Sequence, residues 1–194
     1  LAKKKHRKRY GSGRRACSIK NRVSIDERPQ IVSQKQRLSD WEIDTIIGKR
    51  QTNAIVTVVE RLSKKTLLGR VTSKKSAEVT QEIIALLSPI KPYVFTITAD
   101  NGVEFAQHKL IAKKLDASIY FAHPYHSWER GLNENTNGLI RQFIPKKSDF
   151  SELTEQYMQG VMEQLNNRPR KSLGYKTPNE VFDMIKRDKT VLAY

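Results

Sequence analysis

The chain has 194 residues, 38% of them apolar, and carries a formal net charge of +16. That length allows one full-sized domain with an appendage, and the charge points to a polyanionic partner, nucleic acid ahead of an anionic membrane surface. No apolar run is long enough for a membrane-spanning helix, and the single cysteine, Cys17, excludes an intrachain disulfide and a CxxC metal site.

The first 20 residues, LAKKKHRKRYGSGRRACSIK, hold nine Lys or Arg and no acid. A block of like charge is a solvated arm more often than a folded element, so residues 1–36 read as a basic arm and linker, in part disordered. The arm lacks the apolar segment of a secretory signal. The lone cysteine fits a reducing compartment. A start at Leu1 rather than Met leads us to expect a fragment whose upstream part is not shown.

Regular structure is expected from Trp41. DWEIDTIIG, AIVTVVER and KTLLGRVT are β-branched and apolar runs separated by short turns at Gly48, Lys49, Ser63 and Lys64, the pattern of an antiparallel meander. SAEVTQEIIALLSPI has Val79, Ile83, Ile84, Leu86 and Leu87 at helical spacing, with Pro89 as the stop. KPYVFTITAD is a strand ending at Asp100-Asn101-Gly102, EFAQHKLIAKKL a helix, and ASIYFA a short buried strand. PYHSW is a loop, a helix is tolerable from about Glu134 to Phe143, and SELTEQYMQGVMEQLNNR is an amphipathic helix. TPNEVFDMIKRD is a last helix with Thr177 as cap, Pro178 in the first turn and Glu180 at the capping-box position. The order implies an α/β fold, a mixed sheet of five strands (three antiparallel, then two parallel) covered by helices. The domain then runs from 37 to 185, with a C-terminal tail at 186–194.

The acids carry the chemistry. Asp44 interrupts an apolar strand, where a carboxylate is costly unless paired or metal-bound. An outward position on a half-exposed strand is the bland alternative, and alternation puts Glu42 on the same face. Asp100 ends a strand where open α/β sheets bind ligands, although Asp-Asn-Gly is also a plain turn sequence. Two carboxylates from neighbouring strands suit Mg²⁺, a hard cation that prefers oxygen, and a third would complete a two-metal site. Glu104, Glu129 and Glu134 are the candidates for that third acid.

Four segments, WEIDTIIG, ITADNGVEF, YFAHPYHSWERGLNENTNGLIRQFIPK and LNNRPRKSLGYKTPNEVF, together resemble the transposases of bacterial insertion sequences, in particular the insertion sequence thirty family. Those proteins share a ribonuclease-H-like core with retroviral integrases, and the resemblance spans roughly residues 20 to 185. It implies an Asp, Asp, Glu triad that holds two divalent metals, Mg²⁺ or Mn²⁺ in its place, and that cuts and joins DNA strands at transposon ends. The first two acids carry over to Asp44 and Asp100. The family's spacing of 33 residues between the second Asp and the Glu selects Glu134 and leaves Glu129 on the approach to the helix. It also implies double-stranded DNA as partner and a homo-oligomer in the functional complex, with no membrane role. The helix-turn-helix regions that precede the core in the family's full proteins are not recognisable in this sequence.

A helix beginning near Asn133 sets Glu134, Asn137 or Gly138, and Arg141 on one face. Glu134 would hold metal, Arg141 a DNA phosphate, and Gly138 would leave room for a substrate backbone. Further DNA contacts are expected from Asn101 beside Asp100, from His126, from Trp128 stacking on an unpaired base, and from Asn137. Arg130 and Lys146 with Lys147 form one basic patch near that edge. Asn167, Arg168, Arg170 and Lys171 form another. Two other readings stay open: a catalytically inactive DNA-binding or assembly protein with the same fold, and a ribonuclease-H-like nuclease acting on RNA–DNA hybrids.

Overall fold

Residues 19–49, 53–124 and 126–188 are described by the computed structural model, apart from the side chains of Ser127 and Trp128. The arm up to residue 18, the tail from residue 189, and the side chain of Trp128 therefore lie outside the described residues. The elements in chain order are β1 (Val23–Ser24), α1 (Gln30–Gln34), β2 (Asp40–Ile47), β3 (Ala54–Glu60), β4 (Thr66–Val71), α2 (Ser76–Leu87), β5 (Thr96–Ala99), α3 (His108–Leu115), β6 (Ser118–Phe121), α4 (Gly131–Ile140), α5 (Glu155–Asn166) and α6 (Pro178–Arg187).

The sheet order is β1-β6-β5-β2-β3-β4. Strands β2, β3 and β4 form the expected antiparallel meander, and β5 and β6 add in parallel on the other side of β2. β3, flanked on both sides, is buried along its whole length, which is why AIVTVVE is nearly all apolar rather than alternating. The five expected strands are joined by a sixth. Val23–Ser24 pairs in parallel with β6 at the sheet edge, and two residues are too few for a sequence period to show. Chain before residue 37 packs on the sheet as well, with Ile19 and Val32 both buried.

Alternation on the strands divides two cores. Trp41, Ile43, Val56, Val58, Ile97 and Phe121 face one layer with Val79, Ile83, Ile111 and Phe182 of the helices. Ile46, Ile55 and Leu68 face the other, with Ile140 of α4 and Met158, Val161 and Leu165 of α5. The start of α6 is fixed as the sequence predicts: Thr177 Oγ1 accepts from the Glu180 N–H at 3.1 Å and Glu180 Oε2 accepts from the Thr177 N–H at 2.7 Å.

Glu60 closes the turn after β3. Its Oε2 accepts from the N–H groups of Leu62 and Ser63 at 2.9 and 2.6 Å and from Ser63 Oγ at 2.7 Å. Burial outweighs those bonds and pushes the carboxyl up from its ordinary 4.5 to about 7. The folded state then binds this proton more tightly than the unfolded state, so the contribution is present at low pH and is lost as pH rises from 4.5 to about 7. Urea denaturation of the wild type should show stability falling across that window, relative to Glu60→Gln, by on the order of 2–3 kcal/mol. A difference between the two proteins that does not change with pH would show that folding leaves the Glu60 carboxyl unshifted.

Candidate active site

The two strand acids come together because of register. Parallel pairing of β2 with β5 matches Trp41 to Ile97 and Glu42 to Thr98, and two more residues along both chains set Asp100 abreast of Asp44. Both project to the α4 side of the sheet, since Trp41, Ile43, Ile97 and Ala99 belong to the opposite core. Glu42 shares that face with Asp44, as alternation requires.

α4 lies across this face, one turn of helix matched to two residues of strand. The Asn133 N–H donates to Glu42 Oε2 at 3.3 Å, Asn137 Nδ2 donates to Asp44 Oδ2 at 2.9 Å, and Ile140 enters the core beside Ile46. Asn133, Thr136 and Ile140 are the buried stripe, with Asn137 half-buried beside it, of a helix that contains three asparagines and two glycines, poor helix formers that only tertiary contacts hold in place. The helix begins at Gly131, earlier than expected. Glu134 sits on it one turn before Asn137, solvent-exposed.

A cation stands between the two aspartates. Arg130 Nη1 is 3.5 Å from Asp44 Oδ1 and Arg130 Nη2 is 3.3 Å from Asp100 Oδ2. The Gly102 N–H donates to Asp100 Oδ1 at 2.8 Å. A Cβ at residue 102 would lie 2.8 Å from that same oxygen and 2.5 Å from Glu104 Oε2, so glycine here lets the turn fold tightly against both acids. Burial pushes the Asp100 carboxyl above its ordinary value. Arg130 and the Gly102 N–H oppose that shift, and the charges of Asp44 and Glu104 add to it.

Glu104 itself is buried. Thr45 Oγ1 donates to its Oε1 at 2.8 Å, and Lys74 Nζ pairs with the same oxygen at 2.6 Å. Burial would raise it, but the bonds from Lys74 and Thr45 prevail and hold it below the ordinary carboxylate range. It therefore ties the segment after Asp100 to the residue after Asp44. The sequence signal for this was present in DNGVEF, where Glu104 follows Asp100 by four residues, but its partners lie 30 and 59 residues away.

Glu129 serves a different purpose. It accepts from His123 through both the backbone N–H and Nδ1, each at 2.8 Å, while His123 Nε2 pairs with Asp26 at 2.9 Å. Glu129 and Asp26 hold the His123 imidazole above its ordinary value. This cluster fastens the approach to α4 to the N-terminal segment.

Of the other expected contacts, Asn101 donates to Ala122 O at 2.6 Å and accepts from Arg22, and His126 Nδ1 contacts Pro124 O at 2.9 Å. Arg141 donates to the carbonyls of Ile47 at 3.1 Å and Pro145 at 3.2 Å and lies over the Phe150 ring, so it braces the loop after α4. Lys146 and Lys147 are exposed, and exposed Arg168 bonds Gln142 Oε1 at 3.0 Å. A Cβ added at Gly138 would meet no heavy atom within 4 Å.

Among the described residues, no group of three or more His, Cys, Asp or Glu gathers to hold a metal ion. Asp44 and Asp100 nevertheless suit a hard cation: they offer adjacent carboxylate oxygens, and a cationic guanidinium already lies between them. Glu134 lies on α4, exposed, and is not drawn into the pair.

No family model matches the chain. It is 51% identical over 173 residues to the transposase for insertion sequence element IS4351 of Bacteroides fragilis, covering 89% of this chain and 53% of that protein. To the transposase InsI for insertion sequence element IS30A of Escherichia coli K12 it is 37% identical over 174 residues, covering 88% of this chain and 44% of that one. The chain thus spans about half the length of the curated relatives it matches. The solved catalytic core domain of BIV integrase superposes with a TM-score of 0.62 at 21% identity, covering 78% of this chain and 98% of that one. This likeness shows the ribonuclease-H-like integrase fold. No helix among the described residues is long and apolar enough to cross a membrane.

Proposed function

The chain belongs to the insertion sequence thirty family of transposases along the half of those proteins that it spans, and from that premise we propose that it is their DNA strand-cutting and strand-joining region. The observation that carries this reading is the pairing of Asp44 with Asp100 across adjacent parallel strands, with one cation between them. The proposed catalytic region is 37–185, with Asp44, Asp100 and Glu134 as metal ligands.

Bound Mg²⁺, or Mn²⁺ in its place, would stabilise charge on the phosphoryl oxygens and make water or a 3′-hydroxyl a better nucleophile. The chain's own residues prepare the site. Asn137 orients one oxygen of Asp44, the Gly102 N–H orients one of Asp100, and Glu104 ties the two segments through Thr45. Water would cut a phosphodiester at the transposon end and leave a 3′-hydroxyl. That hydroxyl would attack a target phosphodiester by in-line transfer, with no covalent enzyme intermediate.

Phosphate contacts from Lys146, Lys147, Arg168 and the basic arm would supply the affinity, which should fall steeply with salt. The chain that follows the arm is fastened beside Asp100: β1 pairs with β6, and Arg28 Nη1 donates to Thr98 Oγ1 at 2.8 Å. Double-stranded DNA is the proposed partner in the bacterial cytoplasm. A pair of transposon ends calls for at least two copies of the chain.

A duplex oligonucleotide bearing the element's own end, incubated with the chain and Mg²⁺ or Mn²⁺, should yield a 3′-hydroxyl cut and strand-transfer products. Cleavage confined to RNA–DNA hybrids would favour the ribonuclease reading instead. The exposed, unengaged Glu134 is the observation that favours an inactive assembly protein, and that reading expects DNA binding with no metal-dependent product at all.

A further inference from the structure

We propose that Arg130 is an internal cation that holds the Asp44–Asp100 pair together until metal arrives, and that an incoming divalent ion must displace its guanidinium. This deepens the reading of that pair as metal ligands and rests on it. Two carboxylates set abreast on adjacent strands repel each other, more strongly in a half-buried site than in water. Arg130 answers that repulsion from a single planar group, one nitrogen toward each acid, and its side chain is only 16% exposed.

The contacts are loose. At 3.3 and 3.5 Å they are longer than the roughly 2.7–2.9 Å of a well-made Arg–carboxylate bond. Nη1 is buried and forms no proper hydrogen bond. A guanidinium held this way offsets charge without locking the acids, and it occupies the space between them. Each aspartate keeps its other oxygen on a neutral donor, Asn137 for Asp44 and the Gly102 N–H for Asp100. The acids are therefore positioned from outside the pair, and Arg130 can leave without releasing them.

The side chain has somewhere to go. A cavity of about 290 Å³ opens beside it, lined by Asp100, Asn101, Gly102, His123 and His126 as well as Arg130 itself. Arg130 closes the turn that leads into α4 and lies just before the helix begins. Its side chain can thus turn aside without unwinding the helix that carries Asn137 and Glu134. Displaced into that cavity, the guanidinium stays at the edge of the site and faces whatever anion approaches Asp100.

The test needs neither DNA nor catalysis. Mn²⁺ binding to the full chain is followed by the electron paramagnetic resonance signal of free Mn²⁺, for wild type, Arg130→Gln, Arg130→Lys and Asp100→Asn. Removing a competing cation should tighten Mn²⁺ binding roughly 10-fold in Arg130→Gln. Arg130→Lys should also bind more tightly than wild type, because lysine keeps the charge but lacks the fork that spans both acids. Thermal melts without metal should place Arg130→Gln below wild type, with Mn²⁺ closing the gap.

Wild-type affinity in Arg130→Lys would overturn the proposal, leaving only a general effect of charge, and so would unchanged or weaker binding in both variants. If Arg130→Gln does not fold, the affinity of Arg130→Lys decides alone. Equal Mn²⁺ binding by wild type and Asp100→Asn would instead remove the pair as a metal site, a failure of the underlying reading and not of the displacement.

Discussion

Replacing Glu134 with Gln is expected to lower metal-dependent strand cleavage and joining by at least about 10³-fold, equivalent to roughly 4 kcal/mol of transition-state stabilisation. Thermal stability and affinity for non-specific duplex should stay at wild-type level. The prediction is sharp because Glu134 is exposed on α4 and makes no contact that holds the fold. A change there cannot be mistaken for unfolding, and phosphate contacts by Lys and Arg elsewhere supply the non-specific affinity. Asp44→Asn and Asp100→Asn should abolish activity equally, but with side effects on packing, since each removes one end of the Arg130 bridge. Strand-transfer assays run beside melting curves separate the two causes. Near-normal activity in Glu134→Gln would sink its assignment and turn attention to Glu104, which already lies against the Asp100 turn. In that event Glu104→Gln should be the inactive variant. Its melting curve has to be weighed too, because Glu104 also anchors Thr45 and Lys74.

The parts of the site that could be read in advance depend on short-range periodicity. Alternation along DWEIDTII places Glu42 and Asp44 on one face, and the apolar run of KPYVFTITAD places Asp100 at a strand end. What sequence alone does not give is the register of β2 on β5, which makes those two acids neighbours. α4 shows the limit from the other side. Its asparagines and glycines argue against a helix, yet Asn133 and Asn137 are the residues that bind the sheet. Local propensity is overridden here by contacts from strands some 90 residues earlier in the chain. Arg141 and Arg130 illustrate a third difficulty. As charges in a basic protein both read as DNA contacts, but Arg141 lies against the carbonyls of Ile47 and Pro145, and Arg130 lies between two aspartates. Composition reveals how many cations a chain has, and only the fold reveals which are already engaged. The N-terminal segment is hidden for a simpler reason: two residues of strand and five of helix are below the length at which a period is visible.

The largest effect on stability is expected at Arg61. Glu42 is 1% exposed and Arg61 5% exposed, and the two pair directly beneath α4. Burial pushes the Glu42 carboxyl upward, and Arg61 first, then the Asn133 N–H, oppose the shift. Arg61→Met removes that partner and leaves a buried carboxylate facing the helix, a loss of about 3–5 kcal/mol for a broken buried pair. Arg28 and Lys35 also act on Glu42, so the measured value should fall in the lower part of that range. Replacing both partners, as in Glu42→Leu with Arg61→Met, should restore most of the stability, because no charge is then left buried without a partner. Urea denaturation of the two single variants and the double variant completes the cycle, and additive losses would show that the pair is not coupled. Activity should not recover along with stability. The double variant still lacks the Glu42 oxygen that receives the Asn133 N–H, so α4 loses a contact one residue from Glu134. A stable double variant with impaired strand transfer would separate the two tasks of Glu42: closing the core, and setting the helix that carries Glu134.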